Sequence, residues 1–586
     1  MKKSFNKYTF SKFTENPWLV LGFLALAAVG LYGRSLGYAF CNDDKLFILQ
    51  NIATGGFDHI KDIWHGFNTR FLAGMSFAVN YWLGGRDVLG YRLVNLAVHV
   101  VNAFCVYGLV LLTFRTPRLE GARLRARAGA IGFWAAVIFL VHPVQTESVV
   151  YVSQRITMMG ALFYLGTILF YIKGRLHHQS KYFWGSVVCM AMGLLSKEMV
   201  ISAPVAIWVY DRIFFPHSRA QGSKRLWVFA AYVVLMALFF VIGATDRPDS
   251  IVGLKYRVKE FDGRYFLTEI NVLRTYLRLF ILPVNQNTEY EYPLTQHVLD
   301  WPTLLSLYVL TTLVVVAFRQ RHKRPFLSFA IVWFFITTSV EALSVCFVHG
   351  GVIFEHWLYL PMVGFAVFVP LAVFDYVRDP RKITVILLVL VTLAGVLTFR
   401  REAVWKTELT LWEDVITKGA EDYRPYAVVG LYYSRMGQSK KAMESYRKAM
   451  RFFDELKPLQ KAQLLINIGA LYGRQEDYLK EIEFNMAALR YYPRHPQAYS
   501  NIGYAYTLLG DLENGLAFGK KAIAIDPGFS EAYNNLGVTM VRAGDLEAGL
   551  EYFTKALELH PGYLDARHNF ALAQDILIRR ELEKKK

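Results

Sequence analysis

Apolar residues follow two patterns along the chain. Up to about residue 400 they run in long uninterrupted stretches, whereas beyond it charged and apolar residues alternate at helical spacing. Stretches of the first kind suit helices in lipid, and the alternating pattern suits amphipathic helices in water. The expected fold class is all-α: a polytopic α-helical membrane domain over residues 1–400, then a soluble helical domain over 401–586.

Eleven candidate spans lie near 18–33, 91–114, 129–146, 156–173, 182–197, 199–215, 226–244, 301–318, 326–347, 357–376 and 383–399. A helix needs about 20 residues to cross hydrocarbon, so the shorter stretches borrow flanking residues or are shielded by protein. The first run follows Lys2, Lys3, Lys7 and Lys12 without a small-residue cleavage pattern and reads as a retained span.

Orientation follows from the loops. With the N-terminus inside, the loops on its side carry Arg118, Arg123, Arg125 and Arg127, then Lys173, Arg175 and Lys181, then Arg219, Lys224 and Arg225. The last two carry Arg319, Arg321, Lys323 and Arg324, then Arg378, Arg381 and Lys382. Such an excess marks cytoplasmic loops. An odd number of spans then places everything after residue 400 outside, in a periplasm or an organelle lumen, with the stretches 34–90, 142–155 and 245–300.

The second domain is periodic. Gly469, Gly503 and Gly537 are spaced by 34, as are Pro493, Pro527 and Pro561, Ala488, Ala522 and Ala556, and Ala498, Ala532 and Ala566. A 34-residue unit with small residues at these points resembles the tetratricopeptide repeat (TPR), two antiparallel helices that approach closely. Tyr426 to Lys448 reads as an earlier, irregular unit, since Gly430 to Gly469 is 39. About four units and a final helix are expected.

Composition narrows the function classes. With 54% hydrophobic and 19% charged residues, the composition argues against a single water-soluble domain. The net charge of +18 sits in short loops between apolar runs, which reads as membrane orientation and not as nucleic-acid binding. Cys41, Cys105, Cys189 and Cys346 show no metal-ligand spacing, so neither a zinc site nor a disulfide framework is inferred.

The candidate chemistry lies at outer boundaries of the spans. Asp43 and Asp44 stand together after the first span; desolvation and like-charge repulsion raise at least one pKa there, which suits a general base, although a helix cap uses the same residues. After the third span comes His142-Pro143-Val144-Gln145-Thr146-Glu147-Ser148, closing with Gln154-Arg155. Ser196-Lys197-Glu198 follows the fifth span, and Phe354-Glu355-His356-Trp357-Leu358-Tyr359-Leu360-Pro361 stands at the tenth. Any one such residue could be paired structurally, but four clusters on one face argue for a shared site. Arg274 and Arg278, four apart on one helix face, could clamp a phosphate at headgroup level or simply snorkel.

Taken in order, Asn42-Asp43-Asp44, Arg70-Phe71-Leu72 with Ser76, Phe77 and Asn80, Tyr91-Arg92-Leu93-Val94-Asn95 with His99, the His-Pro-Val-Gln-Thr-Glu and Ser-Lys-Glu clusters and Leu358-Tyr359-Leu360-Pro361 resemble the transmembrane-and-TPR-containing protein O-mannosyltransferases. That family belongs to the class C (GT-C) membrane glycosyltransferases, and the likeness covers nearly the whole chain. It implies inverting transfer of a sugar from a polyprenyl-phosphate donor to a hydroxyl on a protein at the outer face, with membrane lipid as surroundings and the TPRs recruiting the acceptor. By the family pattern the paired acids sit in the first outer loop, a role Asp43 and Asp44 inherit; the hypothesis drawn from it is that Asp43 takes the acceptor proton and Asp44 orients it or binds the acceptor. The candidate donor-phosphate cations are Arg274 and Arg278, with Arg155 and Lys197 nearby in the family arrangement, and Arg92, His142, Glu147, Glu198, Glu355 and His356 are the further candidates for the substrate site.

The chain departs from the pattern at His356, where Arg is expected, and in its short repeat array. No cofactor or metal is required, since Arg and Lys can meet a phosphate leaving group; a divalent ion on Asp43 and Asp44 is the alternative. The absence of any Asn-x-Ser/Thr triplet leans towards a bacterial inner membrane and an undecaprenyl carrier. Two rival functions stay open: a transferase acting on lipid or polysaccharide with the repeats as assembly scaffold, and a non-enzymatic scaffold or export factor.

Overall fold

The computed structural model describes residues 11–49, 51, 54–216, 222–244, 260–349 and 351–584. Lys2, Lys3, Lys7 and Arg219, named above, lie outside the described residues, as do parts of the 34–90 and 245–300 stretches. Every regular element among the described residues is helical. The chain divides into two compact units, Met1–Asp414 and Val415–Lys586.

The first unit extends past the boundary expected at residue 400 for a local reason. Its last long helix runs to Glu402, a tight turn follows over Ala403–Lys406, and Trp405 of that turn is 1% exposed. Arg401 then pairs with Asp414 at 2.8 Å.

Among the described residues, seven helices of this unit are long and apolar enough to cross a membrane: Pro17–Gly37, Val88–Thr113, Val152–His177, Lys224–Gly243, Trp301–Gln320, Pro325–Val348 and Pro380–Lys406. Arg125–Val141 and Pro143–Val150 make an eighth if counted as one span bent by 53°. The remaining three expected spans are helices of 15, 12 and 15 residues, Ser180–Leu194, Ala203–Phe214 and Met362–Tyr376. At 1.5 Å per residue these reach roughly 18–23 Å, short of the ~30 Å hydrocarbon layer. Apolar runs alone do not separate a span from a helix buried in protein.

Local sequence sets the ends of these helices. Asn16 caps the first by accepting from Trp18 and Leu19 N–H, with Pro17 at the first position. Asp87 and Asp379 cap two others in the same way. At Pro143 the missing N–H and the ring stop the helix begun at Ala128, and His142 turns to an extended conformation. The chain then delivers residues 143–154 as short turns and not as a continued helix.

Outward faces carry Trp18, Leu26, Leu226, Phe240, Tyr308 and Phe318, all well exposed, as apolar side chains directed at lipid are. The interior holds polar groups instead. Asn95, His99, Asn102 and Arg155 are each 0% exposed, and Val88–Thr113, which bears three of them, packs against the first helix, the bent pair and Arg155–His177.

The second unit is four helix pairs and a final helix: Tyr423–Arg435 with Ser439–Ala449, Pro458–Gly473 with Tyr478–Tyr491, Pro496–Leu509 with Leu512–Ile525, Ser530–Arg542 with Leu546–Leu559, and Leu564–Lys584. One glycine in each first helix faces the residue sixteen further on in the second. A Cβ on Gly430 would meet Tyr446 at 2.6 Å, on Gly469 Asn485 at 2.6 Å, on Gly503 the Gly519 backbone at 2.9 Å, and on Gly537 Phe553 at 2.6 Å. Asp477, Asp511 and Asp545, also 34 apart, cap the second helices. Pro493, Pro527 and Pro561 stand in the turns that follow.

Candidate active site

The loop after the first helix is held by its own acids. Asp44 is fully buried, with Oδ1 accepting from Ser153 N–H at 2.7 Å and Oδ2 from Cys41 N–H at 3.3 Å. Burial pushes its carboxyl up to about 6, against the pull of Arg92 and those two N–H groups. Asp43 is half-buried, and its N–H donates to the Tyr151 hydroxyl at 2.9 Å. Tyr151 stacks on Trp405 with ring centroids 5.1 Å apart. Lys45 pairs with Glu408, and Ala39 N–H donates to Lys406 O at 3.3 Å, so the loop is fastened to the segment after the last long helix.

Arg92 supports this loop from below, donating to Ala39 O at 2.8 Å and to Val150 O. It therefore positions the Asp43 loop and the turns after Pro143 against each other.

A second set of groups gathers at Glu147 and Glu355. His356 Nδ1 donates to Glu147 at 2.8 Å. Glu355 is fully buried and accepts from Gln286 Nε2 at 2.6 Å and from the Tyr290 hydroxyl at 2.7 Å, with Arg401 3.9 Å away. Burial raises the Glu355 pKa, Arg401 opposes the rise, and the neighbouring Glu147 adds to it. Nε and Nη2 of Arg401 find no hydrogen-bond partner among the described residues.

Lys197 forms a third node. Its Nζ donates to Thr157 Oγ1 and lies 3.0 Å from Glu341, while Thr157 Oγ1 donates to Gln154 at 2.8 Å. The next residue, Glu198, takes both arms of Arg70, at 2.7 and 3.2 Å.

Four of the other expected site residues are occupied elsewhere. Arg155 is saturated: it donates to Asn95, Asn80, Ser76 and Tyr91 at 2.6–3.3 Å and lies over the Phe77 ring. His142 accepts from Val144 N–H and donates through Nε2 to Phe280 O at 3.1 Å, leaving neither nitrogen free. The two arginines four apart do not form a clamp. Arg274 donates through Nε to Ser306 at 2.8 Å, and Arg278 is exposed and donates to Val284 O, six residues along its own chain. Among the described residues, no three His, Cys, Asp or Glu side chains gather as metal ligands.

Reading the sequence alone missed Tyr151, Gln286, Tyr290, Glu341, Arg401 and Trp405. Arg400-Arg401-Glu402 directly after an apolar run was the one signal on offer, and it reads first as the end of a span.

Residues 423–452, 496–529 and 530–563 match tetratricopeptide repeat models. Over 450 residues the chain is 26% identical to Protein O-mannosyl-transferase F38B6.6 of Caenorhabditis elegans, covering 72% of this chain and 61% of that one. Over 493 residues it is 24% identical to Protein O-mannosyl-transferase TMTC4 of Homo sapiens, covering 73% and 65%. Its relatives are protein O-mannosyl-transferases. Identity rises to 32% with Protein O-mannosyl-transferase Tmtc1 of Drosophila melanogaster, over 221 residues that are 35% of this chain and 24% of that one. The chain spans under two thirds of the length of these relatives.

Proposed function

We propose that the protein is an integral membrane glycosyltransferase that moves a sugar from a polyprenyl-phosphate donor to Ser or Thr hydroxyls of proteins on the outer face. On this reading the eleven helices cross or enter the membrane with the N-terminus inside, and the repeats hold the acceptor chain outside. The inner membrane of a bacterium is the favoured location.

The observation that carries this reading is the division of labour between the paired acids. Asp44 is buried and spends both oxygens on backbone N–H groups, while Asp43 is the one that reaches the surface. In the proposed mechanism Asp43 removes the acceptor proton as the hydroxyl oxygen attacks the anomeric carbon. The bond to the donor phosphate breaks and configuration inverts. Asp44, Arg92 and Tyr151 hold the loop so that Asp43 needs little reorganisation. Lys197, paired with Glu341 and acting on Glu147, is the cation that would meet the leaving phosphate on this reading.

The experiment compares wild type with Asp43→Asn, purified in detergent, for transfer of labelled sugar from a panel of polyprenyl-phosphate donors to periplasmic or lumenal proteins. Loss of about 10²–10⁴-fold is expected, with the melting temperature unchanged. Equal transfer by both proteins would remove Asp43 from the chemistry. Absence of transfer across the whole panel would favour the scaffold role.

A further inference from the structure

An apolar groove of about 330 Å³ opens on a different part of the membrane unit, lined among others by Leu162, Gly166, Phe170, Lys173, Cys105 and Cys189. Residues 162, 166, 170 and 173 follow one face of the helix Arg155–His177. From 162 to 173 the helix rises about 16 Å, roughly half of a ~30 Å hydrocarbon layer. The groove is therefore one leaflet deep. Small groups shape it: a Cβ on Gly166 would stand 3.0 Å from Cys189 Sγ.

One charged side chain lines the groove, at its end. Lys173 is half-buried with its Nζ 5.8 Å from the Phe170 ring centroid, and no carboxylate is ion-paired with it among the described residues. Arg175, two residues on, points elsewhere and is paired with Asp211, which also takes Arg225. An unpaired ammonium over an apolar groove at a leaflet's edge is complementary to a lipid phosphate above an acyl chain. Lys173 lies near the end of this helix opposite Arg155, and the candidate active site adjoins the Arg155 end, so the donor phosphate belongs to the other leaflet.

We infer that this groove binds one acyl chain of an anionic phospholipid from the leaflet Lys173 faces, with the lipid phosphate paired to Lys173. The inference needs the helix to span lipid and is independent of the transfer chemistry.

Native mass spectrometry of the full chain in mild detergent, with phosphatidylglycerol and phosphatidylcholine added in equal amounts, tests it. Wild type is expected to retain phosphatidylglycerol several-fold over phosphatidylcholine. Lys173→Gln should equalise the two, Lys181→Gln should leave the preference intact, and Cys105→Trp, which fills the groove, should lose both lipids. Should Cys105→Trp not fold, maleimide labelling of Cys189 in wild type, read by peptide mapping, should slow when phosphatidylglycerol is added. An unchanged preference in Lys173→Gln, labelling indifferent to the lipid, or displacement of phosphatidylglycerol by undecaprenyl phosphate would each overturn the assignment.

Discussion

The two units bring helices together by different means. In the repeat unit one device recurs, a glycine facing the residue sixteen positions later, with Tyr446, Asn485, Gly519 and Phe553 as successive neighbours. In the membrane unit the contacts occur once each and join distant stretches: Arg155 reaches Ser76, Asn80, Tyr91 and Asn95, and the Tyr359 hydroxyl meets His99 at 2.8 Å and Asn102 at 3.0 Å. Apolar burial drives association in water, whereas lipid is as apolar as the helices it surrounds, so packing and satisfied polar groups decide which helices meet. A lost contact should stay local in the repeats and spread in the membrane unit.

Arg155→Ala is the strongest way to break that contrast. It takes this donor from five acceptor atoms on Asn95, Asn80, Ser76 and Tyr91, of which those on Asn95, Asn80 and Tyr91 are buried. Each orphaned buried partner costs about 1–3 kcal/mol. Thermal melting of detergent-solubilised protein should show a large fall in the membrane unit, with hydrogen exchange of the repeats unaltered. A loss below about 1 kcal/mol would mean that Arg155 is no hub.

Within the repeats, Gly503→Ala and Gly537→Ala form a matched pair of smaller effect. The new Cβ at 503 would sit 2.9 Å from Gly515 O and Gly519 N, backbone atoms that cannot swing aside. At 537 it meets the Phe553 ring, which can turn. Overpacking of the first kind costs about 1–3 kcal/mol, and the second should cost less. Faster hydrogen exchange confined to Pro496–Leu509, Leu512–Ile525 and their neighbours is the expected signature of Gly503→Ala. Equal effects of both variants would show that the backbone, too, gives way.

The same contrast governs how much could be read from the chain. The repeats are legible because their contacts recur at one period, so Gly503 or Ala522 announces its role by position. In the membrane unit Asp43, Glu147, Lys197 and Glu355 are legible as polar groups at span boundaries, but their partners are not. Glu147 meets His356 across 209 residues and Glu355 meets Tyr290 across 65, and no local rule links such positions. Arg274 and Arg278 show the converse: a spacing of four places both on one helix face, yet one is engaged by Ser306 and the other lies exposed. Ser180–Leu194 and Ala203–Phe214 are as apolar as many spans, and only their lengths in the fold set them apart.

Counted per pH unit, the smallest effect expected is a pair of pH slopes, one for each unit. Burial raises Asp44 from 3.8 to about 6 and Glu481, on a second helix of the repeats, from 4.5 to about 8. In both cases the folded chain holds the proton more tightly than the unfolded one, so unfolding releases protons. Stability is then greatest below the unfolded value, falls as pH rises, and levels off above the folded value. The Asp44 contribution should be lost between about pH 4 and 6, and that of Glu481 between about pH 4.5 and 8. Each group can supply at most about 1.4 kcal/mol per pH unit. Asp44→Asn should flatten the first slope in the melting of the membrane unit, and Glu481→Gln the second in that of the repeats. If Asp44→Asn leaves the slope between pH 4 and 6 unchanged, the buried carboxyl is ionised throughout that range, and Arg92 with the Ser153 and Cys41 N–H groups outweighs its burial.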